Sequence, residues 1–317
     1  MRLRKKILMF GLSLAMVVQI SSLAYAGVIG KSSKLYPLVQ ADNTEALLGG
    51  GEINLLGSAT ASQNMSYVIT TRSGKVIVVD GGLEADAPHL VEVIKSKGCK
   101  VSAWFLSHPH SDHVGAITKI VNDGMDGISI DAVYYNIREQ AWYEQNEKYR
   151  ADTVAKFRDA MAKLPEGVVH SNVQRGTVVN LDDVSVHVIN NPYYLPTNSI
   201  NNSSVVYRMD FGPTRVLFLG DMGAEAGEAM IKDVPASELD SDIVQMAHHG
   251  QYGVTKEVYQ IISPKICMWN TPQWLWDNDG GGGYNTGNYK TLEVRSWMEE
   301  MGVKANYVIK DGDQTIK

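Results

Sequence analysis

An α+β fold, with sheets covered by helices, is predicted by three features of the chain. Apolar runs of strand length arrive in pairs joined by short turns. Single helical segments fall between the pairs. No Pro/Gly/Ser-rich linker and no internal repeat divides the sequence. Hydrophobic residues make up 44% of the 317 positions and charged residues 20%. That composition supplies a core and excludes a disordered chain, so residues 27–317 are expected to form one domain.

Residues 1–26 stand apart. Arg2, Arg4, Lys5 and Lys6 precede a mostly apolar run, Ile7 to Ile20, and Ala24-Tyr25-Ala26 offers a small-x-small cleavage site. This is the three-part pattern of a secretory signal. The run is short of the roughly 20 residues that a membrane span needs. The expectation is a signal peptide and an exported protein, secreted or periplasmic, with no stable membrane insertion after cleavage. Removing those four cations takes the formal net charge from -6 to -10. The mature chain then has no overall pull toward nucleic acid or anionic membrane, although a local basic groove remains compatible with nucleic acid.

The elements follow in order. Residues 27–50 read as a leader with a short strand near Tyr36 to Val39. Ile53 to Leu56, Met65 to Thr70 and Lys75 to Val79 read as strands, the last two joined at Arg72-Ser73-Gly74. Ala87 to Lys97 has helical period and stops at Gly98. Val101 to Leu106 is a mostly apolar strand that runs into Ser107-His108, and Asp112 is placed to cap a helix reaching about Ile120. Ile128 to Tyr135 returns as a strand, and Arg138 to Leu164 is the longest helical segment, external or forming one wall of a cleft. Strands then follow at Thr177 to Val179, Val184 to Ile189, Ser204 to Asp210, Arg215 to Leu219, Ile243 to Met246, Ile266 to Trp269 and Ala305 to Ile309. Helices are expected at Glu225 to Ile231, Thr255 to Ile262 and Leu292 to Met301, with an irregular stretch from Thr271 to Gly287.

The chemistry concentrates at His108-x-His110-x-Asp112-His113, where four potential metal ligands fall within six residues at the end of a buried strand. Three of the chain's eight histidines lie there and two more are adjacent, His248 and His249. Buried imidazoles without an ion would leave polar groups uncompensated. Imidazole and carboxylate together suit zinc, manganese or iron. The only cysteines, Cys99 and Cys267, exclude a cysteine-built zinc site. They are read either as two buried free thiols or as a disulfide.

His108-Pro109-His110-Ser111-Asp112-His113-Val114-Gly115 resembles the metal-site motif of the metallo-beta-lactamase-fold hydrolases. Asp80-Gly81-Gly82, Gly220-Asp221 and Ala247-His248-His249-Gly250 resemble the other family motifs in their order. The resemblance covers roughly residues 50 to 270. It implies a four-layer αββα sandwich with two mixed sheets, and a site for two divalent ions, Zn2+ foremost and Mn2+ or Fe2+ as alternatives, at one sheet edge. Asn201-Asn202-Ser203-Ser204 and the following strands resemble the branch with competence-type ComEC hydrolase domains and bacterial phosphorylcholine esterases, whose members mostly cut phosphodiesters.

One departure stands out. The family's third-motif histidine is replaced by Asn201 and Asn202, and His187 and His170 are weak substitutes. The resemblance implies one site with His108 and His110, another with Asp112, His113 and one of His248 or His249, and Asp221 as the bridge. Asp80 would fix a ligand from behind, or serve only as a turn aspartate. Two ions about 3.5–4 Å apart would hold a bridging hydroxide. Asp112 would orient it and take its proton, and Asn202 would hydrogen-bond the substrate or cap the adjacent strand. Trp269, Trp274, Trp276, Tyr284 and Tyr289 either form a box for a choline-like group, stack on sugars or bases, or pin a long loop. Tyr134, Tyr135, Trp142 and Tyr143 are candidates for a further wall. The expected partner is a small-molecule or polymeric phosphodiester. Hydrolysis of a carboxylic ester, lactone or beta-lactam, and metal or ligand binding without catalysis, are the competing readings.

Overall fold

The computed structural model describes residues 47–317. The signal-like segment and the strand expected near Tyr36 to Val39 fall outside the described residues. The first half of the described chain runs β1 (Glu52–Leu55), β2 (Ser66–Thr70), β3 (Val76–Asp80), α1 (Ala87–Ser96), β4 (Lys100–Phe105), α2 (Ser111–Asn122), β5 (Ser129–Ile130), β6 (Val133–Tyr134), α3 (Gln140–Asn146), α4 (Ala151–Met161) and β7 (Val169–His170). The second half runs β8 (Val178–Leu181), β9 (Val184–Val188), α5 (Ser199–Asn202), β10 (Tyr207–Phe211), β11 (Thr214–Phe218), α6 (Ala224–Asp233), α7 (Ala236–Leu239), β12 (Ile243–Gln245), α8 (Lys256–Ile262), β13 (Ile266–Trp269), α9 (Gln273–Trp276), α10 (Thr291–Glu300), β14 (Ala305–Val308) and β15 (Gln314–Ile316). Among these residues no helix is long and apolar enough to cross a membrane.

Two mixed sheets result. The first has the order β15-β1-β2-β3-β4-β6-β7, with β5 also pairing β4, and the second has the order β14-β13-β12-β11-β10-β9-β8. In each, antiparallel hairpins give way to parallel strands: β3 pairs β4 in parallel, and β11 pairs β12 in parallel. The period-two alternation of strands sorts their side chains between layers. Ile77, Val79, Ala103 and Phe105 face the second sheet and meet Val186, Tyr207, Met209 and Phe218. Their neighbours Val78 and Trp104 face outward, onto Leu90, Ile117 and Phe157 of α1, α2 and α4. Leu217, Val244 and Cys267 likewise pack on Met230, Val258 and Met298 of α6, α8 and α10. Helix, sheet, sheet, helix is the predicted four-layer αββα order. Each large side chain so buried contributes about 1.5–3 kcal/mol.

Several expectations are corrected. Ile128 to Tyr135 is two short strands, because the ladder to β4 is interrupted between Ile130 and Val133. Arg138 to Leu164 is two helices broken at Glu147 (φ -145°, ψ 62°). The helix after the histidine motif opens at Ser111, so Asp112 lies in its first turn and does not cap it. Cys99 is exposed and Cys267 buried, and both are free. Cys99 therefore lies neither in a disulfide nor in the core. The edge strands β7 and β15 were not expected, because runs of two or three residues carry no readable period.

The parallel pairs bring the carboxyl ends of β3 and β4, and of β11 and β12, to one rim of the sandwich. Val205 N donates to Ser107 O at 2.9 Å, and the Tyr207 hydroxyl donates to Leu106 O at 2.9 Å, joining the sheets there. The helix α2 is seated by close backbone contact: a Cβ on Gly115 would stand 2.7 Å from Glu84 N and 3.0 Å from the Leu83 carbonyl carbon. Gly115→Ala must therefore push α2 away from the loop after β3. A loss of about 1–3 kcal/mol is expected in urea unfolding; a change within error would show that the helix is free to shift.

Candidate metal centre

Four strand ends supply the side chains. Asp80 closes β3 in a left-handed conformation (φ 56°). Its carboxylate accepts from Ser107 N at 2.7 Å and Ser107 Oγ at 2.8 Å, and contacts His113 Nδ1 at 2.8 Å. The segment after β4 carries His108 and His110, and the first turns of α2 carry Asp112 and His113. Asp221 follows β11 through Gly220, where a Cβ would stand 2.7 Å from Ser107 Cβ. Only glycine permits that approach of the two sheets. His248 and His249 follow β12 and both have positive φ, 50° and 54°. A left-handed backbone is uncommon outside glycine, and two in succession turn both rings toward the rim.

The donors fall into two groups that share Asp221. Asp112, His113, Asp221 and His249 offer atoms all within 4.8 Å of one another, and so do His108, His110 and Asp221. His108 Nε2 is 3.1 Å from His110 Nδ1. His113 Nε2 and His249 Nε2 lie 3.3 Å and 3.5 Å from Asp221 Oδ2, and His249 Nε2 lies 3.2 Å from Asp112 Oδ2. His248 stands beside both groups, its Nε2 3.9 Å from Asp221 Oδ2 and 3.3 Å from Asn201 Nδ2. The rings are held from behind: His113 Nδ1 by Asp80, His249 Nδ1 by Asn270 O at 3.0 Å, and His108 Nδ1 beside the hydroxyls of Ser107 and Ser204 at 3.1 and 3.3 Å.

This cluster fits divalent ions on its own evidence. His113 Nε2, His249 Nε2 and Asp221 Oδ1 are buried without a hydrogen-bond partner. Burial raises the Asp221 carboxyl, but His113, His249 and His248 beside it hold it well below the usual range. Asp112 is likewise held low by His113 and His249 against its burial. Burial opposes protons on His113 and His249, yet the surrounding carboxylates raise both, His249 to about 9. His108 moves the other way, lowered by burial and by His113. The carboxylates thus favour positive charge at this rim, and bound divalent ions would supply it.

A cleft of about 380 Å³ opens over these groups, lined among others by His110, Asp112, Asn201, Asp221, His248 and His249. The candidates elsewhere are not brought to it. Asn202 is fully buried, and its Nδ2 donates to Thr197 O at 2.8 Å and Glu225 Oε2 at 3.3 Å, while its neighbour Asn201 lines the cleft. His187 stays on β9 beside Ser185 and Asp210, and His170 stacks on Tyr134 with ring centroids 4.6 Å apart. None of Trp269, Trp274, Trp276, Tyr284 and Tyr289 lines the cleft. Trp276 packs edge-on to Trp269 at 5.3 Å and carries Arg295 over its ring at 4.0 Å, so these residues pin the loop. Tyr134, Tyr135, Trp142 and Tyr143 are likewise absent from the lining, whereas Glu147, Tyr149 and Arg150 are in it. Sequence reading missed those three. Their only signal was the polarity of a segment that reads as continuous helix.

Asp221→Ala should lower bound metal per chain by at least one ion in elemental analysis, since both donor groups lose a member. Asp80→Asn keeps the shape but not the charge behind His113. It should weaken metal affinity about 10–100-fold in chelator competition; unchanged affinity would reduce Asp80 to a turn residue.

Residues 59–264 match the family model described as Metallo-beta-lactamase superfamily. ComE operon protein 3 of Bacillus subtilis (strain 168) is 25% identical over 181 residues, 56% of this chain and 21% of that protein. The chain thus spans about a fifth of that relative's length. Among solved structures, the metallo-beta-lactamase fold protein YhfI from Bacillus subtilis superposes with a TM-score of 0.51 at 10% identity, over 84% of this chain and 99% of that one. CmlA, a diiron beta-hydroxylase from Streptomyces venezuelae, superposes with a TM-score of 0.50 at 13% identity, over 84% of this chain and 54% of that one. At these identities the likeness concerns fold. The family model, spanning more than half of the chain, joins the two covered sheets and the paired donor groups to one conclusion: this protein belongs to the metallo-beta-lactamase superfamily.

Proposed function

We propose that the protein is an exported phosphodiesterase that works with two divalent ions, zinc in the first place. The observation that carries this reading is the pair of donor groups sharing Asp221 on the floor of a polar cleft. Support for the phosphodiester comes from the Asn201-to-Ser204 segment and from the partial similarity to ComE operon protein 3. Support for export comes from the Arg2-to-Ala26 pattern.

His108 and His110 would hold one ion and Asp112, His113 and His249 the other, with Asp221 shared and His248 available to the first. Bound there, two ions make water nucleophilic at neutral pH and neutralise charge on the attacked group. The chain's own residues do the rest. Asp112, held low by His113 and His249, lines the cleft as a carboxylate and would orient the attacking water by accepting a hydrogen bond from it. Asn201, and not Asn202, lines the cleft, and its Nδ2 donates to Asn198 Oδ1 at 2.9 Å and lies 3.3 Å from His248 Nε2, steadying that ring. Arg150 at the cleft wall supplies a cation for an anionic substrate, and the exposed Tyr149 beside it supplies a ring face.

The zinc-loaded chain from residue 27 onward should turn over bis-p-nitrophenyl phosphate and p-nitrophenyl phosphorylcholine. Chelation should abolish that activity and added zinc should restore it. Preferential turnover of a lactone overturns the phosphodiester reading. Metal uptake with no turnover of any ester would instead leave a binding protein.

A further inference from the structure

The geometry points to Glu147 as a positioning residue: its carboxylate, carried in from the break between α3 and α4, holds the His110 ring from behind and sets the affinity of the ion position built on His108 and His110. The inference rests on the dinuclear reading above and not on the substrate.

Helix α3 and the 3-10 turn Lys148–Arg150 flank Glu147, yet the residue itself leaves helical geometry and is only 8% exposed. A surface helix gains nothing from burying a carboxylate, so the break needs a reason inside the fold. Ile200 N donates to Oε1 at 2.7 Å and the Tyr149 hydroxyl donates to Oε2 at 3.2 Å. Oε2 lies 3.6 Å from His110 Nε2. The other nitrogen of that ring, Nδ1, faces His108 Nε2 at 3.1 Å. The imidazole therefore stands between the carboxylate and the ion position, so Glu147 orients a ligand and is not one itself. His113, His249 and His108 each have a hydrogen-bonding partner behind the ring, whereas His110 Nε2 is buried without one and has the Glu147 carboxylate facing it at ion-pair distance. A carboxylate behind a ligating histidine fixes the ring and strengthens it as a donor. Because Ile200 belongs to α5, the same contact ties the Asn201 wall of the cleft to the metal centre.

The test is zinc titration of metal-stripped protein against a chromophoric chelator, with Glu147→Gln, His110→Ala and the double variant. The carboxamide still accepts from Ile200 N, so Glu147→Gln should keep the melting temperature of the metal-free chain. It should weaken one zinc about 10–100-fold and leave the other within about threefold. In the His110→Ala background the same change should add nothing, because its effect passes through that ring. Two wild-type affinities, a further loss in the double variant, or a joint fall of both affinities with metal-free stability would each overturn the assignment. Wild-type protein that takes up a single zinc would overturn the dinuclear centre itself, and this assignment with it.

Discussion

A carboxylate that is 1% exposed must be fully engaged by its neighbours, and at Asp80 that requirement organises the site. Its three contacts are a backbone N–H, a hydroxyl and an imidazole, all supplied by the seven-residue stretch from Ser107 to His113. The end of β3 is thereby locked to the end of β4, and the histidine motif is fixed before any ligand arrives. Trp104 Nε1 donates to Asp80 O from the other side. The left-handed backbone at Asp80 is tolerated because its carboxylate and its carbonyl oxygen are both engaged.

Charge then decides what the cleft accepts. Asp80, Asp112, Asp221 and Glu147 surround five imidazoles within one rim, and those imidazoles cannot all carry protons side by side. His108 and His113 respond in opposite directions, the first pushed down by burial and by His113, the second pushed up by the carboxylates of Asp221, Asp80 and Asp112. Divalent ions would remove the conflict, since His108, His110, His113 and His249 would then serve as neutral donors.

What sequence could reveal follows from locality. The His108-to-His113 motif, Gly220-Asp221 and His248-His249 are contiguous, so residue type and order identify them without a structure. The strands that carry them have clear alternation, and the two sheets were legible for that reason. Glu147 was not, because nothing in its surroundings marks a helix break, and its partners at 110 and 200 are distant in the chain. Asn202 and Asn201 differ by one position on a single helical turn, which decides whether an amide faces Thr197 or the cleft, and composition carries no such phase. The aromatics around β13 illustrate the converse: their number suggested a ligand cage, whereas Trp269 packs on Trp276, Trp274 on Tyr289 and Arg295 over Trp276, and Tyr284 is exposed.

The donors are divided between the halves of the sandwich. Residues 108 to 113 extend from the first sheet, and residues 221, 248 and 249 from the second. An ion held between them would act as a rivet through the rim, and its binding energy would enter the cohesion of the two layers. At free metal about a hundredfold above the dissociation constant, that linkage amounts to about 2.7 kcal/mol. With ions bound there, persistence of the folded molecule would be tied to the metal supply of whatever compartment it occupies.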